Sequence, residues 1–150
     1  MEVKTKTMGT VEVPDERIIT LPDGLFGFEE FKKYALIESE YQPLLLMQSI
    51  EEQGLSFYII DPFLFCSNYE VDVEDRILER IGLTDPADVC VMTIVTLPAK
   101  GNQVTANLEG PLIINRKNNK CLQVILSNDR YTTKYDIIAA LKAKAGESQC

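Results

Sequence analysis

Apolar residues recur at every second position or in short unbroken runs along the chain, the pattern of half-buried and fully buried strands. Val3 to Thr7 and Thr10 to Val13 are separated by Met8-Gly9, a hairpin connection in which Gly9 supplies the positive φ. Arg17 to Leu21 continues the meander until Pro22-Asp23-Gly24 turns it. After a short amphipathic piece, Glu29 to Lys33, come Tyr34 to Glu38, Leu44 to Ile50 and Leu55 to Ile60. Val89 to Leu97, Gln103 to Leu108, Leu112 to Asn115 and Cys121 to Leu126 complete the set. About ten short strands at this spacing predict a mainly β fold, a small antiparallel β-barrel-like domain, closed or nearly so, with a sandwich as the alternative.

Two segments break the rhythm. Asp75 to Ile81 places Ile77, Leu78 and Ile81 on one helical face, with Gly82 behind them as a C-terminal stop, so a short helix is expected there, capping a barrel end. From Asp136 the run Ile137 to Gly146 has an acid at the N-cap, lysines late and a terminal glycine, which predicts a C-terminal helix over 136–146 docked by a narrow apolar stripe. No linker, repeat or low-complexity tract divides the chain, and residues 1–150 read as a single domain.

With 150 residues and 45% hydrophobic content, one core suffices without metal or disulfide staples, because a chain of this size buries roughly 68–70% of its extended surface. Lys and Arg number 15 against 23 Asp and Glu, a formal charge of −8. A field of that sign repels phosphate polyanions and excludes broad direct nucleic-acid binding. The charge is uneven: residues 1–115 carry 8 basic and 20 acidic side chains, residues 116–150 carry 7 and 3. A basic partner would meet the earlier portion, above all Glu70, Asp72, Glu74 and Asp75, which otherwise read as solvated side chains at a strand edge and helix start.

Histidine is absent, so no Ser/His/Asp or Cys/His relay, His-ligated zinc or imidazole switch can be built. Cys66, Cys90, Cys121 and Cys150 form no CxxC pair and are expected as free thiols. The N-terminus lacks a secretory pattern, no apolar run reaches membrane-spanning length, and no Asn-x-Ser/Thr acceptor occurs, so a cytoplasmic protein without membrane contact is expected. GxGxxG and GxxxxGK[ST] are both missing, and Gly24-Leu25-Phe26-Gly27 alone makes no phosphate cradle. Asp72-Val73-Glu74-Asp75 fails as a calcium loop because Ile77 stands where the glycine is required. No cofactor or metal is expected. Paired carboxylates acting as acid and base remain a formal route to a hydrolase, although 23 acids produce pairs by chance.

Aromatic residues concentrate in two connections. Phe26, Phe28 and Phe31 surround a glycine-marked turn, and Pro62-Phe63-Leu64-Phe65 leads to Tyr69. Such loops either fold back as a lid on the core or wait for a partner. Stacking of single-stranded bases would need the same residues, and the negative field opposes it.

Several separated stretches together resemble the flagellar assembly factor FliW family. They are Leu21-Pro22-Asp23-Gly24-Leu25-Phe26-Gly27-Phe28, Met47-Gln48-Ser49-Ile50 with Leu55-Ser56-Phe57, and Asp61-Pro62-Phe63-Leu64-Phe65 with Tyr69-Glu70-Val71-Asp72. Val91 to Thr96 and the run Asn107-Leu108-Glu109-Gly110-Pro111-Leu112-Ile113-Ile114-Asn115, followed by Gln123-Val124-Ile125-Leu126, continue the likeness over residues 2–132. Leu25-Phe26 stands where the family usually carries Ile-Pro.

The resemblance implies a small cytoplasmic barrel that is not an enzyme. It would bind flagellin, and also CsrA, the translational regulator that represses flagellin synthesis. Free factor removes CsrA from the messenger; unexported flagellin then occupies the factor and releases CsrA, a partner switch. A flagellin-specific cytoplasmic chaperone without CsrA antagonism is the alternative. The candidate contacts are the acidic Glu70, Asp72, Glu74 and Asp75, the loop aromatics Phe63, Phe65 and Tyr69, and Asn107, Pro111 and Asn115. Pro111 cannot donate to a ladder, so Gly110-Pro111 is expected to mark an edge or bulge, with the asparagines either tying down turns or leaving backbone open to a partner.

Overall fold

The computed structural model describes residues 1–97, 103–127 and 130–145. The strands are β1 (Glu2–Lys4), β2 (Thr10–Glu12), β3 (Ile18–Thr20), β4 (Lys33–Glu38), β5 (Leu45–Ser49) and β6 (Ser56–Ile60). They continue as β7 (Val89–Thr96), β8 (Thr105–Ala106), β9 (Leu112–Asn115), β10 (Lys120–Gln123) and β11 (Tyr135–Asp136). Two α-helices are present, α1 (Asp75–Leu78), continued as a 3-10 turn over Glu79–Ile81, and α2 (Ile137–Ala145).

Strands β3 to β7 pair in sequence order, β7 then pairs β9, β9 pairs β10, and β10 returns to β3. The ring is a closed barrel of seven strands. Every junction is antiparallel except β10 with β3, which is parallel. Strict alternation around a closed ring requires an even count, so seven strands force one parallel seam.

Alternation of side chains explains the core. Ile19, Tyr34, Met47, Ile59, Met92, Leu112, Ile114 and Cys121 share the interior cluster, one residue in two from each strand as the pleat requires. The outward positions are apolar too. Ala35, Ile37 and Leu46 are covered by Val3 and Val13 of the β1–β2 hairpin, whose turn contains Gly9 at φ 68°. Ile60, Val95, Ile113 and Leu122 are covered by Phe65, Tyr69, Ile81 and Leu83. Burial on both faces is why several strands read as continuous apolar runs instead of a clean alternation.

The covering arm, residues 61–83, corrects one expectation. The 3-10 turn that continues α1 lies against β10, and Ile77 and Leu78 pack on the cluster that holds the outward Ile113 and Leu122, because that apolar face must be shielded from water. Gly82 ends the helical segment in the left-handed region at φ 68°, the expected stop. Asp136 accepts from the Ala139 amide at 2.9 Å, the expected N-cap of α2, which docks through Ile137 and Ala140 and leaves Ile138 and Leu141 exposed. The amphipathic piece Glu29 to Lys33 forms a turn entering β4. Cys90 and Cys121 are free thiols as expected, whereas Cys66 is disulfide-bonded; Cys150 and Gly146 lie outside the described residues.

Candidate functional site

Beside the β3–β10 seam the barrel wall opens into a groove of about 800 Å³. One wall is the loop after β3, bearing Asp23, Gly24, Phe26 and Glu29; the other is the arm, bearing Asp72, Val73, Glu74, Ile77 and Arg80. The floor is the end of β10, Leu122 and Gln123, with Val124, Ile125 and Ser127 beyond it. Its rim carries four carboxylates and one guanidinium. The guanidinium is already engaged, since Arg80 Nη2 donates to Asp23 at 2.6 Å across the groove.

Local chemistry fixes both walls. Gly24 sits at φ 68°, and a Cβ there would come within 2.6 Å of the Glu29 Cα, so the loop can close this tightly only with glycine. Glu29 Oε2 accepts from the Gly27 amide at 3.1 Å; that bond chiefly holds its carboxyl below the usual range and keeps it ionised. Gln123 Oε1 accepts from the Phe26 amide at 3.0 Å while its Nε2 donates to the Gly110 carbonyl, tying loop to floor. Leu25 is buried as a plug in the barrel interior, whereas Phe26 and Ile125 are 56% and 59% exposed at the groove.

The arm is fastened by two tyrosines. Tyr69 donates to the buried Leu108 carbonyl at 2.6 Å, and its ring meets Tyr131 edge-on at 4.7 Å between centroids. Tyr131 in turn accepts from the Glu70 amide at 2.8 Å. Burial, with Tyr131 alongside, pushes the Tyr69 phenol up.

The structure distributes the sequence candidates in three ways. Glu70, Asp72, Glu74 and Asp75 are all exposed. Asp72 and Glu74 line the groove, Glu70 borders an adjoining recess of about 280 Å³ shared with Asp72, and Asp75 starts α1. Glu70 pairs with Arg130 at 3.3 Å and Glu74 with Arg76 at 2.6 Å, contacts that water largely screens. Among the aromatics, Phe65 and Tyr69 turn inward to 1% and 4% exposure, while Phe63 stays open beside Leu64.

Asn107, Pro111 and Asn115 tie down turns. Asn107 accepts from the Gly110 amide, the Pro111 carbonyl accepts from Val124, and Asn115 donates to the Ile81 carbonyl and accepts from the Lys117 amide. Gly110-Pro111 lies just before β9, which is itself paired on both sides, by β7 and β10. Beyond the single rung of β10 with β3, the side of Gln123 to Ile125 turned away from β9 has no strand partner among the described residues. The sequence marks Phe26 as a lid or contact aromatic, but not Asp23, Glu29, Gln123 and Ile125 as groove residues. The one local signal for Gln123 and Ile125 is the uncharged run Cys121 to Ser127.

Among the described residues, no three Cys, Asp or Glu side chains converge as metal ligands, and no helix is long and apolar enough to cross a membrane.

Residues 2–137 match the family model of the FliW protein. The flagellar assembly factor FliW of Treponema denticola is 51% identical over 143 residues, covering 95% of this chain and 97% of that protein. That of Treponema pallidum is 46% identical over 150 residues and covers both chains completely. A crystal structure of the flagellar assembly factor FliW superposes with a TM-score of 0.81 at 34% identity, covering 91% of this chain and 96% of that one. Fold and sequence agree along nearly the whole length, and the chain belongs to the FliW family.

Proposed function

We propose that this protein is a cytoplasmic binding protein of flagellar assembly that holds CsrA away from the flagellin message and exchanges it for flagellin when unexported subunits accumulate. The reading rests on family membership, and the observation that carries its physics is the acid-rimmed groove on a chain of net charge −8. A regulator that grips RNA presents positive charge. Docking an anionic body beside that surface speeds encounter and repels phosphates, so RNA is displaced without any overlap with its bases. The work is done by protein contacts alone, with no catalytic step, cofactor, direct nucleic-acid contact or membrane. Exposed Phe63, beside Leu64, offers an apolar patch apart from the groove for a second partner.

The test mixes the chain with purified CsrA and labelled leader RNA, then adds flagellin. RNA is expected to leave CsrA on addition of the chain and to return with flagellin. Replacing Glu70, Asp72, Glu74 and Asp75 together by lysine, or raising salt from 50 to about 500 mM, weakens the displacement at least about tenfold. Displacement unaffected by charge reversal refutes the electrostatic account. Binding of flagellin without CsrA establishes the export-chaperone alternative.

A further inference from the structure

The segment Cys121 to Ser127 contains no charge, no proline and no glycine, although edge strands are normally blunted by such residues. On one side it is satisfied: Val124 donates to the Pro111 carbonyl at 3.0 Å and Leu126 to the Glu109 carbonyl at 2.8 Å. Antiparallel alternation then directs the backbone groups of Gln123 and Ile125 the opposite way, towards β3. Among the described residues the only strand pairing on that side is Lys120 with Thr20. Beyond it, the chain after Thr20 leaves for the Asp23–Glu29 loop, and the groove lies where the next strand would be.

From this we infer that the groove is a strand-addition site: an extended segment of a protein partner pairs with the outer edge of Gln123 to Ile125. This deepens the functional reading above and rests on it. The occupant carries Lys or Arg at the positions that face Asp72, Glu74 and Glu29, and apolar side chains at those that meet Phe26 and Ile125. A second copy of this chain is disfavoured as occupant, because pairing two β10 edges would bring two acidic rims of the same sign together. Main-chain bonds supply the affinity and the rim selects a basic sequence.

The decisive measurement is backbone amide hydrogen exchange on the full chain, alone and with purified CsrA or flagellin, read at Gln123 and Ile125. One of these partners is expected to slow exchange at both amides at least about tenfold. Ile125→Pro removes a donor that β9 does not use, and the double variant Asp72→Lys, Glu74→Lys reverses the rim. Each is expected to weaken that partner at least about tenfold while leaving the melting temperature within about 3 °C. Ile125→Lys, which adds a charge but no proline, repeats the test if the proline variant melts early. Binding with unchanged exchange at the two amides, or full affinity of both edge variants, overturns the inference while the functional reading stands. Protection that grows with the concentration of the chain alone also overturns it, in favour of a dimer. Failure of both partners to bind overturns the functional reading as well.

Discussion

Two buried tyrosines allow the same atom to be removed from opposite environments. Tyr69 donates its hydroxyl proton to the Leu108 carbonyl at 2.6 Å, with donor and acceptor residues 4% and 0% exposed. Tyr34 sits inside the barrel, and its hydroxyl has no partner among the described residues. Tyr69→Phe keeps the ring and its edge contact with Tyr131, so the change isolates one hydrogen bond and strands a buried carbonyl. The expected cost is about 1–3 kcal/mol. With a urea m-value near 2 kcal/mol/M, that lowers the midpoint by about 0.5–1.5 M without changing the slope. Tyr34→Phe removes an unpaired polar atom and is expected to leave stability within about 0.5 kcal/mol or raise it. The arm that Tyr69 fastens carries Asp72 and Glu74, so the same variant should speed hydrogen exchange from Val71 to Ile77 more than in the barrel strands. Equal midpoint shifts for the two variants would refute the assignment of the Tyr69 hydroxyl as the arm's anchor.

Other consequences are equally direct. Tyr34 is pushed up to about 12 by burial and by the negative charge of Glu51, and Tyr69 is raised by burial. Unfolded phenols titrate at about 10, so above that pH the unfolded chain sheds protons that the folded chain keeps. Stability is therefore expected to fall from about pH 10 towards 12, the fall being shallower in Tyr34→Phe; urea midpoints that stay flat from pH 9 to 11.5 would contradict this. Gly24→Ala meets the Glu29 backbone at 2.6 Å and should cost more than about 2 kcal/mol, whereas Gly9→Ala, with open space around it at the same φ of 68°, should cost only about 1–2. Thermal melts of the pair decide whether the clash matters beyond the dihedral. Asn115→Ala loses bonds to Ile81 and Lys117 and is expected to cost about 1–2 kcal/mol, with Asn118 still donating to the Ile81 carbonyl; a loss above about 4 kcal/mol would show that Asn118 does not substitute.

What could be read in advance was local. The hairpin at Gly9, the stop at Gly82 and the cap at Asp136 each depend on residues within one turn of each other, and each is where the sequence places it. Strand positions followed broadly from alternation, but Gln103 to Leu108 contracts to the two residues of β8, Cys121 to Leu126 ends at Gln123, Val3 to Thr7 ends at Lys4, and β11 was not expected. The groove was not legible. Its walls and floor come from residues 23–29, 72–80 and 122–127, and no periodicity within any one of them encodes the other two. Aromatic density around Phe63 to Tyr69 suggested either lid or contact. The side chains divide between the two: Phe65 packs inward against Tyr135, Tyr69 packs inward and donates to the Leu108 carbonyl, and Phe63 stays exposed.

Strand count and binding surface are linked through the seam. Seven strands cannot close with antiparallel pairs alone, and the leftover parallel junction falls between β3 and β10. That junction holds one rung, Lys120 with Thr20, supported by the Thr20 amide donating to the Asn119 carbonyl at 2.9 Å. A longer parallel pairing would need β3 to continue alongside Cys121 to Ile125. Instead Pro22 ends it, and Gly24 folds the chain back so that Leu25 plugs the barrel interior. Closing the core and exposing the β10 edge are therefore consequences of one turn. A substitution that straightens Asp23 to Gly27 would extend the seam, fill the groove and uncover the interior together.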